Sequence, residues 1–261
     1  MNIVKDAHRV VVKVGSSTLT HETGKLNLRH MERLTQALSD FKNAGKEIIL
    51  VTSGAVSAGR SKLGVDHRPA SIEEKQAMAA VGQTELMRTY DRFFSRYGHT
   101  VAQILITRNS IEKEVSRTNA ENTFRRLLQM GCIPIVNEND TVAYDEIEFG
   151  DNDTLSAHVA VLACADVLIN LSDIDGFYSA DPHTDPTAAL IPTVPVIDDS
   201  VYACAGGAGS DRGTGGVITK LRAAEVCTAN GIPMFLLNGA DPDILYDLFE
   251  GKHVGTYFMS H

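Results

Sequence analysis

Val10-Val-Val-Lys-Val-Gly-Ser-Ser17 is a run of valines interrupted by Lys13 and closed by a glycine turn. Side chains branched at Cβ favour extended backbone, and an apolar run without polar alternation reads as a strand buried on both faces. That strand is expected over residues 8–14. A lysine inside it carries a desolvation cost unless an anion meets it. Two readings are open: an edge strand whose lysine snorkels to water, or an ammonium aimed at a phosphate.

Outward from this run, apolar strand-like stretches alternate with helical periodicity to the end of the chain. A helix is expected over 28–43, with Leu28, Met31, Leu34, Leu38 and Phe41 on one face and Gly45 closing it. A strand follows at 47–52. Ser71-Ile-Glu-Glu74 fits a capping box opening a helix that runs to about residue 97. Then come a strand at 100–107, a helix at 118–130, a strand at 133–137, a helix at 155–164, a strand at 167–171, a helix at 217–229 and a strand at 233–237. Strands linked through helices imply a mainly parallel sheet covered on both faces. No linker or repeat divides the chain, so residues 1–261 are expected to form one domain. The Pro- and Asp-rich loop at 179–195 is a weak internal boundary. The glycines between 206 and 216 form either a flexible linker or a phosphate loop, and the helix directly after them favours the second.

With 43% hydrophobic and 22% charged residues, the 261-residue chain has ordinary globular composition and can bury a sizeable core. No stretch of 18 apolar residues spans a membrane, and the polar segment Met1–Arg9 is unlike a signal peptide. Cys132, Cys164, Cys204 and Cys227 form no C-x-x-C pair and read as reduced thiols of a cytosolic protein. A net charge of -9 argues against nucleic acid, whose phosphates need clustered Lys and Arg. It does not exclude a nucleotide, because at a Debye length of about 8 Å distant acids are screened from a pocket.

Four segments fall where the carboxyl ends of parallel strands gather ligands. The Lys13 turn is the first. Val51-Thr-Ser-Gly-Ala-Val-Ser57 is the second, where small residues let a ligand approach backbone N–H groups at a helix start. The third joins Asn137-Glu-Asn-Asp140 to Phe149-Gly-Asp-Asn-Asp-Thr-Leu-Ser156. One of Asp151, Asn152 or Asp153 is expected to cap the helix beginning near Thr154. A cap uses one such residue, so the others are left for a substrate amine, a metal shell or the orientation of lysines. The fourth is Gly213-Thr-Gly-Gly-Val-Ile-Thr-Lys220, a glycine loop whose Lys220 can reach back to a phosphate. Walker A, G-x-G-x-x-G, H-R-D and D-F-G motifs are absent, which removes P-loop, Rossmann and protein-kinase readings.

These segments, with Ala79-Ala-Val-Gly-Gln83 and Asp175-Gly-Phe-Tyr-Ser-Ala-Asp-Pro182, occur in the order found in the amino acid kinase family. The chain resembles that family over nearly its whole length. Within it, N-E-N-D and G-D-N-D together resemble the branch that phosphorylates glutamate. The resemblance implies an αβα sandwich, with substrate on the N-terminal half and nucleotide on the C-terminal half from about residue 165. It implies that Ser53, Asp140 and Asn152 hold L-glutamate, that Lys13 and Lys220 touch the transferred phosphoryl group, and that Asp153 positions both lysines. Lys13, Ser172, Asp173, Thr214, Gly215, Gly216, Val217, Ile218, Thr219 and Lys220 would then bind ATP. Position 172 is serine where threonine is familiar, a change that keeps the hydroxyl. Magnesium would arrive on the ATP phosphates, with no metal ligand from the protein. Feedback by proline and a homo-oligomer are further implications. Many relatives carry a C-terminal PUA domain, for which these 261 residues hold no counterpart. Acetylglutamate, aspartate or nucleoside monophosphate kinases and a non-catalytic amino-acid sensor are the rival expectations. Retention of both lysines speaks against the sensor.

Overall fold

The computed structural model describes residues 3–142, 152–182, 184–205 and 215–260. Its strands are β1 (Arg9–Val14), β2 (Glu47–Val51), β3 (Val101–Ile106), β4 (Ile133–Glu138), β5 (Val167–Ser172), β6 (Thr193–Val194), β7 (Met234–Asn238) and β8 (Thr256–Phe258). The helices before β3 are α1 (Ile3–Asp6), α2 (Ser16–Leu19), α3 (Leu28–Asn43), α4 (Ala55–Leu63) and α5 (Ile72–Ser95). Those after it are α6 (Arg108–Glu112), α7 (Glu114–Gln129), α8 (Asn152–Leu162), α9 (Asp199–Cys204), α10 (Gly215–Ala229) and α11 (Ile244–Glu250). The strands form one sheet in the order β3-β4-β2-β1-β5-β7-β8-β6, antiparallel only between β7 and β8.

Alternation along β1 divides the core between two layers. Val10, Val12 and Val14 join Ile48, Leu50, Ile169 and residues of α3, α5 and α11 on one face. Val11 joins Ile49, Val51, Leu168 and residues of α7, α8 and α10 on the other. The αβα sandwich is therefore present. β1 lies between β2 and β5, opposite Glu47–Val51 on one side and Val167–Leu171 on the other. An edge strand with a snorkelling Lys13 is excluded by that placement.

The helix over 28–43 forms as its periodicity requires, capped by Asn27, whose side chain accepts from the His30 N–H at 3.1 Å. At α5 the Ser71 hydroxyl caps the Glu74 N–H at 3.2 Å, but Glu74 accepts from Ala70 N at 2.6 Å rather than closing the expected box. α7 begins at Glu114, four residues before the expected start, because its first turns bury no apolar side chain and carry no periodic signal. β6 and β8 were not foreseen, being too short for alternation to register. β6 places part of the expected 179–195 boundary loop in the sheet.

α4 and α5 cross with their backbones nearly touching. A Cβ at Gly59 would stand 1.8 Å from the Met78 carbonyl oxygen, and one at Gly82 would stand 1.7 Å from the Ala55 carbonyl oxygen. Both glycines are there because any side chain would separate the helices. The contact holds the start of α4, and so the Ser53–Gly54 turn, in a fixed position relative to the sheet. Gly54 itself has φ 93°, a left-handed conformation that glycine adopts without strain.

Candidate active site

Lys13 is opposite Val51 in β2 and Asn170 in β5. By alternation it shares the Val11 face, under α8 and α10, and it is only 6% exposed. Its ammonium ion-pairs with Oδ1 of Asp153, in the first turn of α8. The other oxygen, Oδ2, accepts from Lys220 Nζ at 3.0 Å and from Thr219 Oγ1 at 3.3 Å. Asn170 Nδ2 donates to Oδ1 at 2.8 Å. One buried carboxylate thus holds two ammonium groups from opposite ends of the chain.

Burial alone would push the Asp153 carboxyl up, but Lys13 and Lys220, with hydrogen bonds from Lys13 and Asn170, hold it well below the usual carboxylate range. The helix start adds favourable potential for a negative charge. Asp153 is ionised at neutral pH, and the local charge of the cluster is two ammonium groups against one carboxylate. That net positive charge suits a phosphoryl group.

Asn152 lies beside it. Its Nδ2 is 2.7 Å from the Thr52 carbonyl oxygen, 2.7 Å from Ser53 Oγ and 3.0 Å from Asn137 Oδ1. An amide nitrogen has two hydrogens, so three acceptors at this range exceed its capacity. Ser53 Oγ acts as an acceptor towards Asn152, which leaves the hydroxyl hydrogen to point elsewhere and donate to a ligand. Asn137 donates in turn to Gln83 Oε1 at 2.9 Å, and Gln83 donates to Gln103 Oε1 at 3.2 Å. This amide relay from α5 sets which way Asn152 points.

Asp140 follows β4, half-buried. Burial pushes its carboxyl up and Lys75 draws it partly back, with no ion pair to Asp140 among the described residues. Ser172 ends β5 and donates to Asp173 Oδ1 at 3.1 Å, Asp173 being exposed. Neither hydrogen-bonds the lysine–aspartate cluster among the described residues. Gly216, Val217, Ile218 and Thr219 form the first turns of α10, where the Gly216 carbonyl oxygen accepts from Lys220 Nζ at 2.9 Å. Thr214 lies outside the described residues, as does Asp151, and of Gly215 only the backbone is described. Asn152 and Asp153 stand inside the first turn of α8, which begins two residues before the expected start near Thr154; of the three expected caps only Asp151 remains, and it lies outside the described residues. Asp and Asn are common caps, which drew the expected start to the first apolar residue beyond them.

Lys13, Asp153, Thr219 and Lys220 are therefore brought together, with Ser53 and Asn152 joined to them through adjacent residues of α8. Asn170 and Gln83 carried no role in the sequence reading, and Asn137 stood there only within the third polar segment. A polar residue amid Val167-Leu-Ile-Asn-Leu171 was the available signal for Asn170, the same signal that singled out Lys13. Gln83 lies in a quoted motif but without any chemical reason to single it out.

The sequence pattern of the amino acid kinase family matches residues 8–238. Glutamate 5-kinase of Clostridium perfringens is 52% identical over 261 residues, covering 98% of this chain and 97% of that protein. Glutamate 5-kinase of Clostridium tetani is 54% identical over 255 residues, covering 98% of this chain and 96% of that protein. Isopentenyl phosphate kinase shares the fold with TM-score 0.67 at 16% identity, over 97% of this chain and 100% of that one. Over half of the aligned positions are shared with each of the two clostridial proteins, and the chain belongs to the amino acid kinase family.

Proposed function

We propose that this chain transfers the γ-phosphoryl group of ATP to the side-chain carboxylate of L-glutamate, giving ADP and L-glutamyl 5-phosphate for proline biosynthesis. The observation that carries the reading is the pair of ammonium groups, Lys13 and Lys220, converging on buried Asp153 beside Asn152. The choice of glutamate draws on the relatives at 52% and 54% identity and on the Asp140 and Asn152 positions.

The obstacle is electrostatic. Two like unit charges at 4 Å repel by about 4 kcal/mol at an effective dielectric of 20, and a carboxylate approaching a triphosphate meets several. Lys13 and Lys220 offset that repulsion from fixed positions, so little reorganisation is needed as charge develops. A glutamate carboxylate oxygen attacks the γ-phosphorus, and the bond to the β,γ-bridging oxygen breaks with its electron pair leaving on ADP. The acceptor is already ionised near neutral pH, so no general base is required. Ser53 and Asn152 hold the amino acid. Asp140, whose carboxyl burial disfavours as an anion, gains a charge partner when the substrate ammonium arrives. Ser172, Asp173 and the start of α10 take the nucleotide, which places the acceptor on the β2–β4 side of β1 and ATP on the β5–β7 side.

Both oxygens of Asp153 are engaged by side chains, and among the described residues no three metal-ligating side chains converge. Magnesium is proposed to arrive with ATP, where it neutralises phosphate charge. Proline, the end product of the biosynthesis this step begins, is proposed to compete with glutamate, and millimolar proline is expected to raise the apparent KM for glutamate. The chain is further proposed to act in the cytoplasm as a homo-oligomer. Among the described residues no helix is long and apolar enough to cross a membrane.

The test is chemical. Protein, MgATP and L-glutamate should form an acyl phosphate that hydroxylamine traps as a hydroxamate. Equal or greater yield with N-acetylglutamate or aspartate would overturn the assignment. Asp140→Ala should raise the KM for glutamate by about 10- to 150-fold, the equivalent of losing a charged hydrogen bond of about 1.5–3 kcal/mol. The KM for ATP should stay near its original value. The reverse pattern would exchange the two sites.

A further inference from the structure

A cavity of about 370 Å³ opens between the start of α4 and the hairpin around Thr20, with no residue of the Asp153 cluster in its lining, and the phosphoryl-transfer chemistry makes no use of it. One wall is α4, with Val56, Ser57 and Arg60, and another is the segment holding Arg68 and Pro69. The hairpin is closed by a bridge between Thr20 and Leu26 and by His21 N donating to the Lys25 carbonyl at 2.9 Å. Its Gly24 lies so close to α4 that a Cβ there would stand 3.1 Å from Arg60 Nη2 and 3.2 Å from the Ser57 carbonyl oxygen.

The charges are the informative part. Two arginines, Arg60 and Arg68, line the cavity against one acid, Glu22, with His21 also in the lining. Neither the Arg60 nor the Arg68 side chain forms an ion pair or hydrogen bond among the described residues, although the whole chain carries 33 acids against 24 Lys and Arg. Lys62, two positions along the same helix, does find an acid, Glu85 at 3.2 Å. Arg60 is half-buried and its guanidinium lies close to Gly24, so it is partly shielded from water before any acceptor is present. A guanidinium in that condition is matched by a planar or tetrahedral oxyanion, which it binds through two parallel N–H groups.

We propose that this cavity is a second ligand site, for a small molecule presenting a carboxylate or phosphate to Arg60 and Arg68, with Ser57 and Thr20 available for its other polar groups. None of Lys13, Ser53, Asp140, Asn152, Asp153 or Lys220 lines it. An occupant would touch α4, whose first residue directly follows the Ser53–Gly54 turn.

Binding can be read on the purified full chain without ATP or an acceptor, so the result stands whichever acceptor the kinase uses. Thermal shift and calorimetric titration with succinate and, separately, with inorganic phosphate would be run at about 0.15 M NaCl, which screens diffuse attraction. One or both anions should stabilise the protein, and which one does so identifies the chemistry. Arg60→Gln and Arg68→Gln should each weaken that binding at least tenfold, while Lys62→Gln should leave it intact. Arg68 is exposed, so its variant keeps the test valid even if Arg60→Gln perturbs α4. Absence of stabilisation by either anion would overturn the proposal. So would binding that survives both arginine variants, because the anion would then be held at Lys13 and Lys220.

Discussion

Lys220→Ala should lower kcat by about 10²–10³, comparable to removing one preorganised oxyanion donor, and leave the KM for glutamate little changed. Lys220 is 8% exposed, and its ammonium is fixed by Asp153 at 3.0 Å and the Gly216 carbonyl at 2.9 Å. It cannot wander, so its effect is on the charge that spreads over the migrating group rather than on capture of the acceptor. Removing it leaves Asp153 still paired with Lys13 and Asn170, so the fold should largely survive. Lys220→Arg should not restore full activity, because a planar fork does not occupy the place of a compact point charge. The measurement is kcat and both KM values, with thermal stability as control. A variant with near-original kcat, or one inactive only because it unfolds, would end the catalytic assignment and leave Lys220 as a brace for α10.

Asp153→Asn should be worse for the fold than for any single binding step. It strands two buried ammonium groups without a counter-charge, and breaking such a pair by removing one member costs about 3–5 kcal/mol. For a domain above 150 residues, about 2–4 °C per kcal/mol, that is a fall in Tm on the order of 10 °C. Activity should fall as well, since the lysines lose the group that aims them. The sign of the pH effect follows from the depressed Asp153 value. Its folded form binds protons less readily than the unfolded chain, so its stabilisation is fully present above the ordinary carboxylate value. It is lost progressively as pH falls below that value towards the folded one. Urea unfolding of both proteins at pH about 7 and about 3.5 should therefore show the gap between them narrowing in acid. A gap that is constant or widens would mean that Asp153 carries no such linkage.

The alternation of strands and helices was readable because the central strands are buried on both faces and long enough to show it. Val10–Val14 and Val167–Leu171 left no other interpretation. The sheet beyond β7 was not readable: Thr193–Val194 and Thr256–Phe258 are too short for period-two patterning, and their pairing depends on contacts distant in sequence. At the site, Lys13 stood out because an ammonium among valines is costly in isolation. Its partner Asp153 was drawn in through the family resemblance, and its place in the first turn of α8 was masked by the habit of Asn and Asp to cap helices. Gln83 was silent, and Asn137 was no more than one of several polar residues in its segment, because an amide in a helix or at a strand end has many ordinary explanations. Only their serial hydrogen bonds to Asn152, at 2.9 and 3.0 Å, give them a role.

The backbone contact between α4 and α5 bears on how this chain can vary over generations. At Gly59 and Gly82 even a methyl group would meet a carbonyl oxygen at less than 2 Å, so no flexible side chain can swing aside to make room. A library randomised along both helices and selected for growth without supplied proline should return glycine alone at these two positions. Leu63 and Ile72, 51% and 45% exposed on the same pair of helices, should accept nearly any residue. Two of the least chemically equipped residues in the chain would then be among its slowest to change, for geometric reasons alone.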